Sequence, residues 1–151
     1  MPPVLTRDTA PRIPDLVPHA GRMVLLHEIR AHDDDRIECR AGIDPGGDHP
    51  LAVDGILPAP ALVEYAGQAM AVHGGLKSGP GTPPRPGRLV SLRQLDLAID
   101  AIESPIEVTV QAHCLGGDDS GQIYRFAVLD GQRELASGQA TIMFSDRTGQ
   151  A

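Results

Sequence analysis

Aromatic side chains make up only 3% of this 151-residue chain, with two Phe, two Tyr and no Trp. Its core must be built from Leu, Val, Ile and Ala, and small side chains let a helix lie close against a sheet. Two cysteines, Cys39 and Cys114, are too few for a disulfide framework. They point to a reducing, cytoplasmic compartment. Acids outnumber bases, 20 Asp and Glu against 13 Lys and Arg, for a net charge of −7. A general nucleic-acid binder needs the opposite balance. No run approaches the ~20 apolar residues of a membrane-spanning helix. The first 15 residues lack an apolar signal-peptide core, so no signal peptide is expected. No Cys/His cluster has zinc-ligand spacing, no glycine-rich phosphate loop follows a strand, and no G-x-S-x-G elbow is present. No metal is expected.

What is present reads as a single α+β domain. Residues 1–15 look loose, and residues 16–146 form the domain. "RMVLLHEI" (22–29) is a compact apolar run that predicts a strand, and "DDD" (33–35) a turn. "RIECRAGI" (36–43) alternates, which puts Ile37, Cys39, Ala41 and Ile43 on one side and completes a hairpin. After the turn-rich "DPGGDHP" (44–50) comes the one convincing helix, about residues 59–74. Pro60 suits its first turn, and Gly74-Gly75 suit a C-terminal stop. A loop with four prolines (78–87) leads to four predicted strands, 88–99, 106–114, 122–129 and 134–144. In the second, Ile106, Val108, Val110, Ala112 and Cys114 share one face. Tyr124, Phe126 and Val128 share a face in the third, and Asp130-Gly131 signals a tight hairpin. About six antiparallel strands curve around one apolar helix.

That helix carries a single carboxylate, Glu64, among small and apolar residues. A charge there is costly unless paired, protonated or exposed. Its surroundings carry a resemblance. "LVPHAGRMVLLHEI" (16–29) resembles the N-terminal motif of 3-hydroxyacyl-[acyl-carrier-protein] dehydratases. "DHPLAVDGILPAPALVEYAGQ" (48–68) is similar to that family's active-site loop and helix. The family pattern is a loop His, a Pro-Gly pair opening the helix, an acid about 14 residues after the His, and a Gln one turn on. Here these positions are His49, Pro58-Ala59, Glu64 and Gln68, with 15 residues from His to acid. The usual His-Phe-Pro-Gly loop is reduced to "HPLA", and Pro60 removes one amide from the helix start. The nearest likeness is to the divergent branch associated with aryl polyene biosynthesis.

The resemblance implies a hot-dog fold, a long helix wrapped by an antiparallel sheet and commonly paired as a homodimer. It implies a lyase that removes water from 3-hydroxyacyl thioesters to give trans-2-enoyl thioesters. The substrate would ride on the phosphopantetheine arm of acyl carrier protein, with no other cofactor. His49 would take the C2 proton, since imidazole titrates near neutrality. Glu64 would protonate the departing C3 hydroxyl, its pKa raised in an apolar tunnel. The Ala59 N–H would stabilise the thioester oxyanion, and Gln68, sharing Glu64's helix face, would orient the carboxyl group or hold a water. His73, near the helix C-terminus, reads as a cation favoured by the helix dipole.

Between Glu64 and Asp96 no acid occurs, while Lys77, Arg85, Arg88 and Arg93 fall there. A local basic patch on an acidic chain suits docking of an acidic carrier protein. Two other functions fit the same pattern. One is an acyl thioesterase, using Glu64 to activate water. The other is a non-catalytic acyl-binding protein or dimer partner.

Overall fold

The computed structural model describes residues 13–16, 21–78 and 87–144. A short helical turn, α1 (Ile13–Leu16), opens the described residues, with Ile13 in the core. Six strands form one antiparallel sheet. In chain order they are β1 (Glu28–His32), β2 (Arg36–Ile43), β4 (Gly87–Leu97), β6 (Ile106–Asp118), β7 (Gly121–Asp130) and β8 (Arg133–Phe144). Their spatial order is β1-β2-β6-β7-β8-β4. Two short strands, β3 (Leu57–Pro58) and β5 (Ala101–Ile102), pair separately. The long helix α2 (Leu62–Ser78) packs against β2, β6 and β7.

The alternation read from the sequence sets which side of the sheet meets the helix. Ile37, Cys39, Ala41 and Ile43 of β2 are all buried, as are Val108, Val110 and Ala112 of β6 and Tyr124, Phe126 and Val128 of β7. Residues between them turn to the outer face. Asp130 pairs with Arg133 across a two-residue turn in which Gly131 takes φ 58, a left-handed conformation that glycine adopts without a Cβ penalty.

Three boundaries differ from expectation. The strand predicted at 22–29 begins only at Glu28. Leu25 and Leu26 are consecutive and both buried, which a strand facing one core cannot achieve. Leu25 N–H is instead taken by the Gln68 side chain, and the ladder starts where His27 N–H reaches the Arg40 carbonyl at 2.9 Å. The helix also runs through Gly74-Gly75 to Ser78. Glycine ends a helix when the chain turns left-handed; here the chain stays helical, and a further turn brings Leu76 against the core. Finally, the hairpin expected at 116–121 tightens to the two residues between Asp118 and Gly121, because β6 continues past a bulge between Cys114 and Gly116.

The α2 helix leaves β4 uncovered. Leu89, Leu92 and Leu97 oppose Ile142, Ala140 and Ala136 on the helix side of the sheet, yet Leu89 is 44% and Leu92 36% exposed. Val90 and Leu95, in the two irregular stretches of this edge strand, are also exposed.

Candidate active site

The loop between β2 and β3 is folded on itself. Asp44 accepts the Gly47 N–H through both its carbonyl and its side chain, Pro45 is buried, and His49 N–H reaches the Gly47 carbonyl at 2.9 Å. Val53 and Ile56 exchange backbone hydrogen bonds around Asp54 and Gly55, at φ 53 and 75. Those two angles make the primed turn that suits an Asp-Gly pair.

This folding delivers the half-buried His49 ring to α2. Its Nε2 lies 2.7 Å from the Tyr65 hydroxyl, and its Nδ1 accepts the Leu51 N–H at 3.1 Å. Tyr65 immediately follows Glu64 in the sequence, so the loop histidine reaches α2 at the turn that bears the carboxylate. Glu64 is half-buried in that first turn, where a negative charge complements the helix dipole. Tyr65 is only 1% exposed, and burial pushes its phenol up to about 12, so it stays a neutral hydroxyl.

Gln68 is fully buried one turn on. Its side-chain oxygen accepts Leu25 N–H at 2.9 Å, and its amide nitrogen donates to the Met23 carbonyl. Those bonds tie the segment before β1 to the helix. The Ala59 amide, expected to be a free oxyanion donor, is not free: it donates to the Asp100 carbonyl at 2.9 Å. The cause is the β3–β5 pairing, which sets Pro58 opposite Ala101 and carries one step further. Pro60 has no N–H to replace it.

Of the basic residues, Lys77 is exposed in the last turn of α2, and Arg88 and Arg93 are exposed on β4; Arg85 lies outside the described residues. His73 is not the dipole-favoured cation expected. It is fully buried, with Nε2 donating to the Asp33 carbonyl at 2.9 Å and Nδ1 accepting from the Tyr124 hydroxyl at 2.7 Å. Burial holds its pKa below the usual imidazole value.

Tyr65 was not singled out by the sequence pattern. The available signal was scarcity: a buried Tyr hydroxyl needs a partner, and both tyrosines of this chain bond a histidine ring. The outer face of the sheet holds a trough of about 690 Å³ lined by residues including Arg36, His113 and Arg125, and no sequence-predicted site residue lines it. Among the described residues, no three His, Cys, Asp or Glu side chains converge as metal ligands, and no helix is long and apolar enough to cross a membrane.

A family model described as ApeP-like, ApeP dehydratase, matches residues 11–150. The chain belongs to the ApeP-like dehydratase family. No curated protein matches the sequence. Among solved structures, a chain of the dehydratase heterocomplex ApeI:P from Xenorhabdus doucetiae is similar at TM-score 0.81 and 21% identity, over 90% of this chain and 92% of that one. The HP0420-homologue from Helicobacter felis is similar at TM-score 0.65 and 16% identity, over 93% of each chain. A hypothetical thioesterase with coenzyme A from Streptococcus pneumoniae TIGR4 is similar at TM-score 0.59 and 12% identity, over 78% of this chain and 84% of that one. The ApeP-like chain has the hot-dog fold, with one long helix held by a six-stranded antiparallel sheet.

Proposed function

We propose that this ApeP-like chain removes water from 3-hydroxyacyl thioesters carried on acyl carrier protein, giving trans-2-enoyl thioesters for polyene-type or fatty acid biosynthesis in the cytoplasm. The observation that carries the reading is the meeting of His49 with α2 at the turn bearing Glu64, through the Tyr65 hydroxyl. A neutral 3-hydroxyacyl group can lose water there by passing one proton from C2 to the departing C3 oxygen. The elimination is redox-neutral, so the chemistry calls for no cofactor beyond the phosphopantetheine arm that presents the thioester. Lys77, Arg85, Arg88 and Arg93 are the docking residues assigned to the acidic carrier protein. The uncovered β4 edge, with Leu89, Val90, Leu92 and Leu95 exposed, fits a homodimer or dimer-based oligomer.

The test is incubation of purified protein with carrier-bound 3-hydroxyacyl chains, followed by mass analysis. Loss of 18 Da, about the mass of one water, and its abolition in Glu64→Gln, supports dehydration. Free acid with free thiol would mark a thioesterase instead. A second reading rests on the Ala59 amide, which is occupied. A chain without that oxyanion donor suits a non-catalytic partner of an active homologue, and the similar chain comes from a heterocomplex. Turnover appearing only after a homologous dehydratase is added would establish it.

A further inference from the structure

On the outer face of the sheet two arginines stand in register on either side of a histidine. Ile37, Ala112 and Phe126 are buried on the helix side, so the adjacent Arg36, His113 and Arg125 turn outward. Arg36 is opposite His113 across β2 and β6, and His113 is opposite Arg125 across β6 and β7. Opposite-charge pairs stabilise such cross-strand positions, and this row has none. Neither arginine makes an ion pair among the described residues, whereas Arg40, four residues along β2 from Arg36, holds both Glu28 and Glu107. Two nearby acids are committed elsewhere. The Asp33 carboxylate accepts the Asp35 and Arg36 backbone amides at 2.8 Å each, and Glu38 accepts the Gln111 side-chain amide at 3.0 Å. Those two backbone amides are the main reason that the Asp33 carboxyl lies below its usual range, with the Arg36 charge a lesser one.

The row is one wall of the trough of about 690 Å³. The floor is low because Ala127, two residues beyond Arg125, faces Ser137 across β7 and β8. The far end is Glu134, opposite Leu129, about 13 Å from the level of Arg125 at the usual rise of a strand. Gln94 lines the trough from the edge strand at φ 54, a left-handed backbone that a residue with a Cβ keeps only where its surroundings hold it. We infer that this trough is a binding site for a small phosphate monoester with a hydroxyl-bearing body. A guanidinium is a planar fork that matches phosphate oxygens bidentately, and two of them about 9.5 Å apart, across two strand spacings, close on a phosphate over His113. The hollow has the size of a small-molecule pocket and holds more than a bare phosphate. Ser137, Gln94 and the Glu134 carboxylate line the remainder and accept hydroxyl donors. Phe126, the one Phe, Tyr or Trp of the lining, is buried toward the helix, so a nucleobase finds no aromatic face to stack on. The trough lies on the opposite face of the sheet from α2, and the inference is independent of the dehydratase reading.

Titration of the full chain with inorganic phosphate, glucose 6-phosphate and glucose, followed by ¹⁵N–¹H NMR, tests it. Inorganic phosphate should shift the amide signals of Arg36, His113 and Arg125 and the arginine Nε–H signals, saturably. Glucose 6-phosphate should shift the same signals and also those of Ser137 and Glu134, with a Kd of about 1 mM or tighter. It should bind more tightly than inorganic phosphate, and glucose alone should do nothing. Arg125→Gln and Arg36→Gln, at exposed positions, should each weaken glucose 6-phosphate by about tenfold or more. Arg40→Gln, whose guanidinium is already held by two carboxylates, should leave binding unchanged. Loss in Arg40→Gln equal to that in Arg125→Gln would mean attraction to charge in general and overturn the site. Equal affinity for inorganic phosphate and glucose 6-phosphate would refute the hydroxyl-bearing body. Absence of any shift, or a change of sedimentation in Arg125→Gln without phosphate binding in the wild type, would overturn the proposal, the latter marking the face as a protein interface.

Discussion

The buried His73 network makes stability depend on acidity, with a sign fixed by the structure. His73 has no exposed surface; it donates to the Asp33 carbonyl and accepts from the Tyr124 hydroxyl. A second proton would have to occupy Nδ1, displace the Tyr124 hydrogen bond and place a charge in the core. Loss of solvation dominates and lowers the folded pKa; the hydrogen bond to the Asp33 carbonyl opposes it, Lys77 and His32 add repulsion, and the Asp33 carboxylate adds a little attraction. The unfolded chain binds that proton below about pH 6.5, the ordinary imidazole value, and the folded chain does not. The stabilising contribution is therefore complete above about pH 7.5 and is lost as pH falls through 6.5 toward the folded pKa. At pH 5.5 the loss reaches at most about 1.4 kcal/mol, one pH unit below the unfolded value. Urea denaturation followed by circular dichroism at pH 7.5 and 5.5 measures it, with His73→Gln subtracting the background from the other histidines. The variant should be less stable at pH 7.5 by about 2 kcal/mol, since hydrogen-bonded buried groups lose their partners. It should also lose less on acidification than the wild type. Tyr124→Phe provides the second arm. It leaves Nδ1 without a donor, so protonation is opposed less and the acid sensitivity should shrink. Equal acid sensitivity in the wild type and His73→Gln would refute the reasoning.

Three further outcomes are expected. Gln68→Leu leaves the Leu25 N–H and Met23 carbonyl without partners and should cost about 2 kcal/mol in urea denaturation, with faster hydrogen exchange at Leu25. Leu92→Lys puts a charge on the uncovered helix-side face of β4; sedimentation should show a wild-type dimer and a variant shifted to monomer, and a monomeric wild type at micromolar concentration would remove the basis for the idea. Reversing charge at Lys77, Arg88 and Arg93 together should raise KM for carrier-bound substrate by about tenfold while leaving small free thioester substrates nearly unchanged; equal effects on both would deny carrier docking.

Much of this fold was legible because alternation reports directly on which face of a strand meets the core. Residues 36–43, 106–114 and 122–129 read correctly as strands for that reason, and β2 matches its predicted bounds. Where a local signal has two structural uses, reading fails. The apolar run at 22–29 could be a strand or a buried extended segment, and the choice fell to Gln68, about 43 residues away, which takes the Leu25 N–H. Gly74-Gly75 could stop the helix or continue it, and the neighbouring Leu76 packing decided. The candidate site divides along the same line. His49 and Glu64 were visible as residue types at a spacing, and the loop does bring the histidine to α2. Which group bonds the imidazole Nδ1, and whether the Ala59 amide is open, are properties of backbone groups that every residue but proline possesses. They carry no compositional mark, and only the pairing of Ala59 with Asp100 and of Leu51 with the imidazole creates them. A sequence pattern can thus nominate the side chains of a site, while the backbone amides beside them are committed by pairings that the inert side chains of Leu51 and Ala59 do not announce.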